Sequence, residues 1–154
     1  VIERIELLPI DLGSVDALTA DLLACAAYED VRPLRGLAAL LDWRLAGRLS
    51  HALATDFASG RSGESVLFHM RGPVRATQLL FVGMGSLDRA GTAGAEAALR
   101  QIAATAGKLS LRHVALEVPG RASDALSPEE AAQLLRSTWQ LESPVRLTVF
   151  DEPT

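Results

Sequence analysis

Gln78-Leu79-Leu80-Phe81-Val82-Gly83-Met84-Gly85 is the stretch that decides the fold. It is apolar at successive positions, about one strand long, and closed by glycines. Alternation would mark a strand with one wet face. A continuous apolar run bounded by turn residues marks a strand covered on both faces. Two further stretches read the same way. Ala20 to Tyr28 (ADLLACAAY) carries one charge, Asp21, and stops at Glu29-Asp30. His113 to Val118 (HVALEV) stops at Pro119-Gly120. A short helix is the rival reading for 20–28. Three buried strands separated by helical segments need crossover connections, and these make the strands parallel. The expectation is an α/β domain, a three-layer α/β/α sandwich on a mixed sheet, occupying residues 1–154 as one domain.

The segments between the strands carry helical spacing. Leu34, Leu37, Leu41, Leu45, Leu49 and Leu53 recur every three or four residues over Pro33–Ala54 and define one face. Pro33 stands near the start of that helix, and Gly47 marks a point where it can break. Ala95, Leu99, Ile102, Ala106 and Leu109 define a second helix, after a flexible small-residue stretch from Ser86 to Gly94. Ser127-Pro128-Glu129-Glu130 has the form of a capping box with Pro at the first helical position, which predicts a third helix to about Trp139. Ile5 and Leu7 alternate with Arg4 and Glu6, as in a half-buried strand. Val145, Leu147 and Val149 alternate with Arg146 and Thr148, as in an exposed-face or edge strand. Residues 11–16 read as a turn or loop, 65–70 as a strand, and Arg71-Gly72-Pro73 as a turn.

Composition narrows the function. The chain has 154 residues, 49% of them hydrophobic and 22% charged, which is a globular balance. Its formal charge of −4 disfavours general nucleic-acid binding. The basic residues are 14 Arg and one Lys, beside 26 Leu and 25 Ala, a bias expected of a GC-rich genome. An Arg cluster at Arg32, Arg35, Arg44 and Arg48 reads as a solvated helix face. One cysteine, Cys25, excludes an intramolecular disulfide and lies in an apolar strand, where a thiol packs inertly. The amino terminus is charged from Glu3, which does not fit a secretory leader, and no apolar run approaches the ~20 residues of a membrane helix. A cytoplasmic location without membrane contact is the expectation.

In open α/β sheets, ligands bind where the central strands end. Those ends supply the candidate ligand-binding residues: Tyr28, Glu29, Asp30, Gly83, Gly85, Ser86, Gly120 and Arg121. A glycine-rich turn before a helix presents N–H groups to a phosphate. It also simply makes a turn. Gly83-Met84-Gly85 lacks both the third glycine of a dinucleotide fingerprint and the lysine of a P-loop. His51, His69 and His113 stand singly, without metal-ligand spacing. Ser62, in Gly60-Arg61-Ser62-Gly63, lies in a turn rather than after a buried strand, unlike a nucleophile elbow. Glu129 and Glu130 are helix-start charges. No catalytic residue, metal ligand or cofactor is assigned. Trp43 and Trp139 fall on helices, and an exposed Trp would mark a partner surface.

The order of residues from Asp21 to about Gly120 resembles the amino-terminal domain of the leucine (cytosol) aminopeptidases. The resemblance is carried by Asp21-Leu22-Leu23 leading to Tyr28-Glu29-Asp30, by Leu34 to Leu49 with Asp42 and Gly47, by Phe57, Gly60, Gly63 and Glu64, by Leu79 to Gly85, and by the helix Ala95 to Ala106. That domain is similar in fold to the macro domains that bind ADP-ribose, and the ending Val145 to Glu152 also resembles a macro-domain finish. In such aminopeptidases hydrolysis belongs to a carboxy-terminal two-metal domain. Its Asn-containing signature cannot occur in a chain without Asn. ADP-ribose hydrolases of the macro-domain type use an Asn-rich loop and a glycine run. Here the matching positions are Ala26 to Asp30 and a solitary Gly36.

The resemblance therefore implies a non-catalytic module acting in assembly or regulation, as a homo-oligomer or with a protein partner. Two alternatives stand beside it: a binder or hydrolase of a nucleotide or ADP-ribose-type small ligand, and the amino-terminal piece of a complete metallo-aminopeptidase.

Overall fold

The computed structural model of the chain describes residues 2–70, 76, 78–123, 125–139 and 144–152. Its strands are β1 (Ile2–Leu8), β2 (Leu22–Ala27), β3 (Ser65–His69), β4 (Gln78–Gly83), β5 (His113–Leu116) and β6 (Val145–Phe150). Its helices are α1 (Leu12–Ala17), α2 (Gly36–Arg44), α3 (Arg48–Ala54), α4 (Leu87–Lys108) and α5 (Pro128–Thr138). The strands form one sheet in the order β1-β6-β5-β2-β4-β3. Neighbours are parallel except β3, which runs antiparallel to β4.

The three buried stretches are the centre of this sheet. Leu22 and Ala24 of β2, Leu80 and Val82 of β4, and Val114 and Leu116 of β5 face α4 and α5. Leu23, Cys25, Leu79, Phe81 and Ala115 face the layer of α2 and α3. The side-chain period of two sends alternate apolar residues to opposite layers, so both must be covered. Gly47 does break the leucine-striped segment, with φ +83° between α2 and α3. The Asp42 carboxylate then serves the new helix start, accepting from Ser50 N at 2.8 Å. The capping box of α5 is formed in both directions.

Several expectations are corrected. Residues 12–17 are helical: Asp11 accepts from Ser14 N at 2.7 Å as an N-cap, and Val15 is buried. Asp, Gly and Ser serve a helix start as readily as a turn. Pro33 precedes the helix, which starts at Gly36. The small-residue stretch 86–94 is the first part of α4, bent at Gly91 with φ +48°. Leu109 caps α4 and is exposed instead of buried. The strand β6 is interior, flanked by β1 and β5. Its buried Thr148 is tolerated because its hydroxyl meets His113 Nε2 at 2.8 Å. The first strand is an edge, and Ile5 and Leu7 are 41% and 72% exposed, so the half-buried expectation fails on its apolar side. The turn expected at Arg71-Gly72-Pro73 lies outside the described residues.

Candidate functional site

Parallel strands all deliver their carboxyl ends to one side, and β2, β4 and β5 do so here. The chain leaves β4 through Gly83-Met84-Gly85. All three amides donate within the fold: Gly83 N to Glu64 O (2.9 Å), Met84 N to Ala27 O (3.0 Å) and Gly85 N to Gly60 O (2.9 Å). Gly83 is small because the 60–64 loop lies against it; a Cβ there would sit 2.1 Å from Arg61 O. Gly85 adopts φ +77°. The Glu64 carboxylate holds that loop, accepting from Ser59 N at 2.8 Å and Gly60 N at 2.9 Å.

The candidate residues fall into separate places. Tyr28 and Gly120 line a cavity of about 30 Å³, with Leu34, Arg35, Glu117 and Ser123. The Tyr28 and Ser123 hydroxyls are 2.8 Å apart. Glu29, Gly85 and Ser86 border an open groove with Arg61, Ser62 and Arg89. Asp30 accepts from Leu87 N at 3.0 Å, at the start of α4. Arg121 faces away, bound to Asp151 through Nε (3.0 Å) and Nη2 (2.9 Å) and to Leu126 O through Nη1 (2.8 Å).

Glu117, which the apolar run His113 to Val118 places in a strand, lines the cavity beside Tyr28. It follows β5 and is 6% exposed. Its Oε1 accepts from Leu37 N at 3.2 Å, so its carboxyl sits at the start of α2. Gly36 makes the space: at φ +60°, a Cβ there would lie 2.6 Å from Glu117 Oε1 and 2.7 Å from Ala122 Cβ. Burial pushes the Glu117 carboxyl up to about 7. The Leu37 N–H opposes that, the Asp151 and Glu152 charges add to it, and Arg121 opposes it again. The one available signal was a lone acid in an otherwise apolar run, His113 to Val118.

Two helix starts border the crevice, and an acid of the chain itself sits at each: Glu117 on α2 and Asp30 on α4. These are the positions where a helix attracts a ligand anion. Other reactive groups are spread out. Burial pushes the Cys25 thiol well above its ordinary range, and the Glu117 charge adds to this, so it carries no thiolate. His51 lies in the last turn of α3, and His69 and His113 lie in β3 and β5. Among the described residues, no three His, Cys, Asp or Glu side chains are grouped to hold a metal ion. No helix among the described residues is long and apolar enough to cross a membrane. The expected Arg cluster is divided among local contacts. Arg44 pairs with Asp16 at 2.8 Å, Arg32 donates to Tyr28 O at 2.8 Å, and Arg48 lies over the Phe68 ring. Trp139 is buried, whereas Trp43 is 69% exposed.

Comparison with known proteins places the fold and the family. The model of the N-terminal domain of the cytosol aminopeptidase family matches residues 22–143. No curated protein matches the chain by sequence. Among solved structures, a mutant tomato leucine aminopeptidase superposes at TM-score 0.68 and 23% identity, over 98% of this chain and 33% of the enzyme. The chain thus spans about a third of that enzyme's length. The macrodomain of Thermus aquaticus DarG matches at TM-score 0.72 and 14% identity, over 97% of this chain and 99% of the macrodomain. Thermosipho africanus DarTG, solved in complex with ADP-ribose, matches at 0.65 and 16%, over 96% of this chain and 42% of that one. The fold is therefore that of a macrodomain, and by its matched 22–143 segment the chain belongs to the cytosol aminopeptidase family, as its N-terminal domain.

Proposed function

We propose that this domain is a non-catalytic module that acts in assembly or regulation by associating with protein. The observation carrying this reading is the occupation of both helix starts at the strand-end crevice by Glu117 and Asp30. A phosphate brought to either start would meet a resident carboxyl. Of the two hollows at the strand ends, the one beside Glu117, about 30 Å³, has room for about one water, and the one at Gly85 and Ser86, about 520 Å³, is an open groove rather than a closed pocket. The Gly83 to Gly85 amides, which a phosphate cradle would need free, are spent on the backbone. Exposed Trp43 and Leu7 supply the kind of surface that partners cover. In a longer aminopeptidase the same module would accompany the hydrolytic domain without contributing to bond cleavage.

Two measurements test this. Isothermal titration with ADP-ribose and with ADP is expected to give no saturable heat. Saturable micromolar binding, abolished by Gly85→Val, would replace the association reading with a ligand-binding one. Sedimentation of the purified chain is expected to show association that neither nucleotide changes.

A further inference from the structure

We propose that β1 is a self-recognition strand, which pairs antiparallel with β1 of a second copy about a two-fold axis at Ile5 and joins the two sheets edge to edge. The proposal deepens the association reading and rests on it.

The strand lies at one end of the sheet, so its outer backbone groups have no strand partner among the described residues. It is long for such an edge, at seven residues, and Glu3 to Leu7 are all exposed. Natural edges are usually blunted by charged side chains, prolines, β-bulges or short length, and β1 has such a register shift between Ile2 and Arg4. This edge carries charges of both signs, Glu3, Arg4 and Glu6, around Ile5. Its parallel register with β6 sets the faces: Arg4 lies beside Arg146, Ile5 beside Leu147, Glu6 beside Thr148 and Leu7 beside Val149. Arg4 thus has a like charge on its inner side. Among the described residues neither Arg4 nor Glu6 has an ion-pair partner.

The sequence of β1 selects one register for self-pairing. Residues directly opposite in an antiparallel pair share a face, and a two-fold axis between identical strands must pass through a residue. An axis at Arg4 sets Arg4 against Arg4. An axis at Glu6 sets Glu6 against Glu6. Both are repulsive, since like charges directly opposite destabilise a strand pair. An axis at Ile5 sets Arg4 against Glu6 twice and Ile5 against Ile5, so the three central pairs are favourable, with Glu3 against Leu7 outside them. The apolar side agrees. Ile5 and Leu7 border a groove of about 410 Å³ whose floor is apolar (Val149, Ala131, Leu135) and whose rim carries charged residues, Arg136 and Glu152 among them. Because the axis is perpendicular to the sheet, the α5 layers of the two copies fall on the same side. Their two grooves then meet over the Ile5 pair, covering apolar surface that one copy leaves in water.

The test is a charge-exchange cycle on the full chain, read by sedimentation equilibrium from micromolar to submillimolar concentration. The unaltered protein is expected to form a dimer of twice 16.4 kDa. Arg4→Glu places an acid opposite each Glu6, and Glu6→Arg places a base opposite each Arg4. Each alone should weaken dimerisation by at least about tenfold, and the double exchange should restore it to within about threefold. Both positions are exposed, so circular dichroism is expected to show every variant folded. Hydrogen exchange should show β1 amides protected in the dimer and exchanging in the single variants. A chain that stays monomeric overturns the proposal, as does a double exchange that fails to recover. A dimer indifferent to all three variants overturns the β1 register while leaving association intact. Nucleotide binding at the crevice would instead overturn the association reading itself.

Discussion

Replacing Glu117 by Gln should make the domain more stable, and increasingly so as pH rises. The carboxyl ordinarily titrates at 4.5 and is held at about 7 in the fold, chiefly by burial. Its folded value is raised. Its favourable contribution is therefore complete below 4.5, where it is protonated in both states, and is lost as pH rises through about 7. Above that, the unfolded chain ionises freely while the folded one must hold a desolvated charge. At about 1.4 kcal/mol per tenfold, the difference between 4.5 and 7 corresponds to roughly 3 kcal/mol in full. Of this, roughly 2–3 kcal/mol should develop between about pH 5 and pH 8. Gln keeps the shape, and its amide oxygen can still accept from Leu37 N, but it has no charge to bury. The assay is urea unfolding of both proteins at several pH values, reporting the difference between them so that other titrating groups cancel. Thermal midpoints should diverge in the same direction, by 2–4 °C per kcal/mol for a domain of this size. A stability difference constant to within about 0.5 kcal/mol over that range would refute the reasoning, because it would mean that water reaches Glu117 freely.

Gly36→Ala should cost more than about 2 kcal/mol, from the left-handed φ and from a Cβ driven against Glu117 and Ala122. In a Glu117→Ala background the cost should fall, and an equal cost in both urea-unfolding series would show that the carboxyl does not fill the space beside Gly36. Cys25 should not react with a disulfide reagent in the native protein and should react as urea unfolds it, since it is buried and held as the thiol. Rapid labelling without unfolding would show that the layer between β2 and α2 is open.

The sequence by itself determined the centre of the fold. Apolar runs at 20–28, 78–85 and 113–118 cannot be satisfied by one covered face, so they force helices onto both sides of a largely parallel sheet. The Gly47 break and the capping box at Ser127 were equally legible, because each is a local backbone requirement met within a few residues. The margins were not legible by alternation alone. Val145 to Phe150 alternates as an edge strand would, yet it lies between β1 and β5, and Thr148 is excused from solvent by His113, 35 positions away.

The site divided along the same line. That ligand chemistry, if present, would lie at the strand ends followed from topology. Only the tertiary structure showed that Gly83 to Gly85 spend their amides on neighbouring backbone, that Asp30 sits at the start of α4, and that Arg121 turns to Asp151. Glu117 is the sharpest case. Its place in the sequence marks only an acid at the end of a buried strand. What it does depends on Leu37 and Gly36, some eighty residues earlier, which the fold carries to its carboxyl. Hydrophobic periodicity is a property of neighbouring residues and can be read from them. The partner of a buried charge is set by which distant segments meet, and that exists only once the chain has folded.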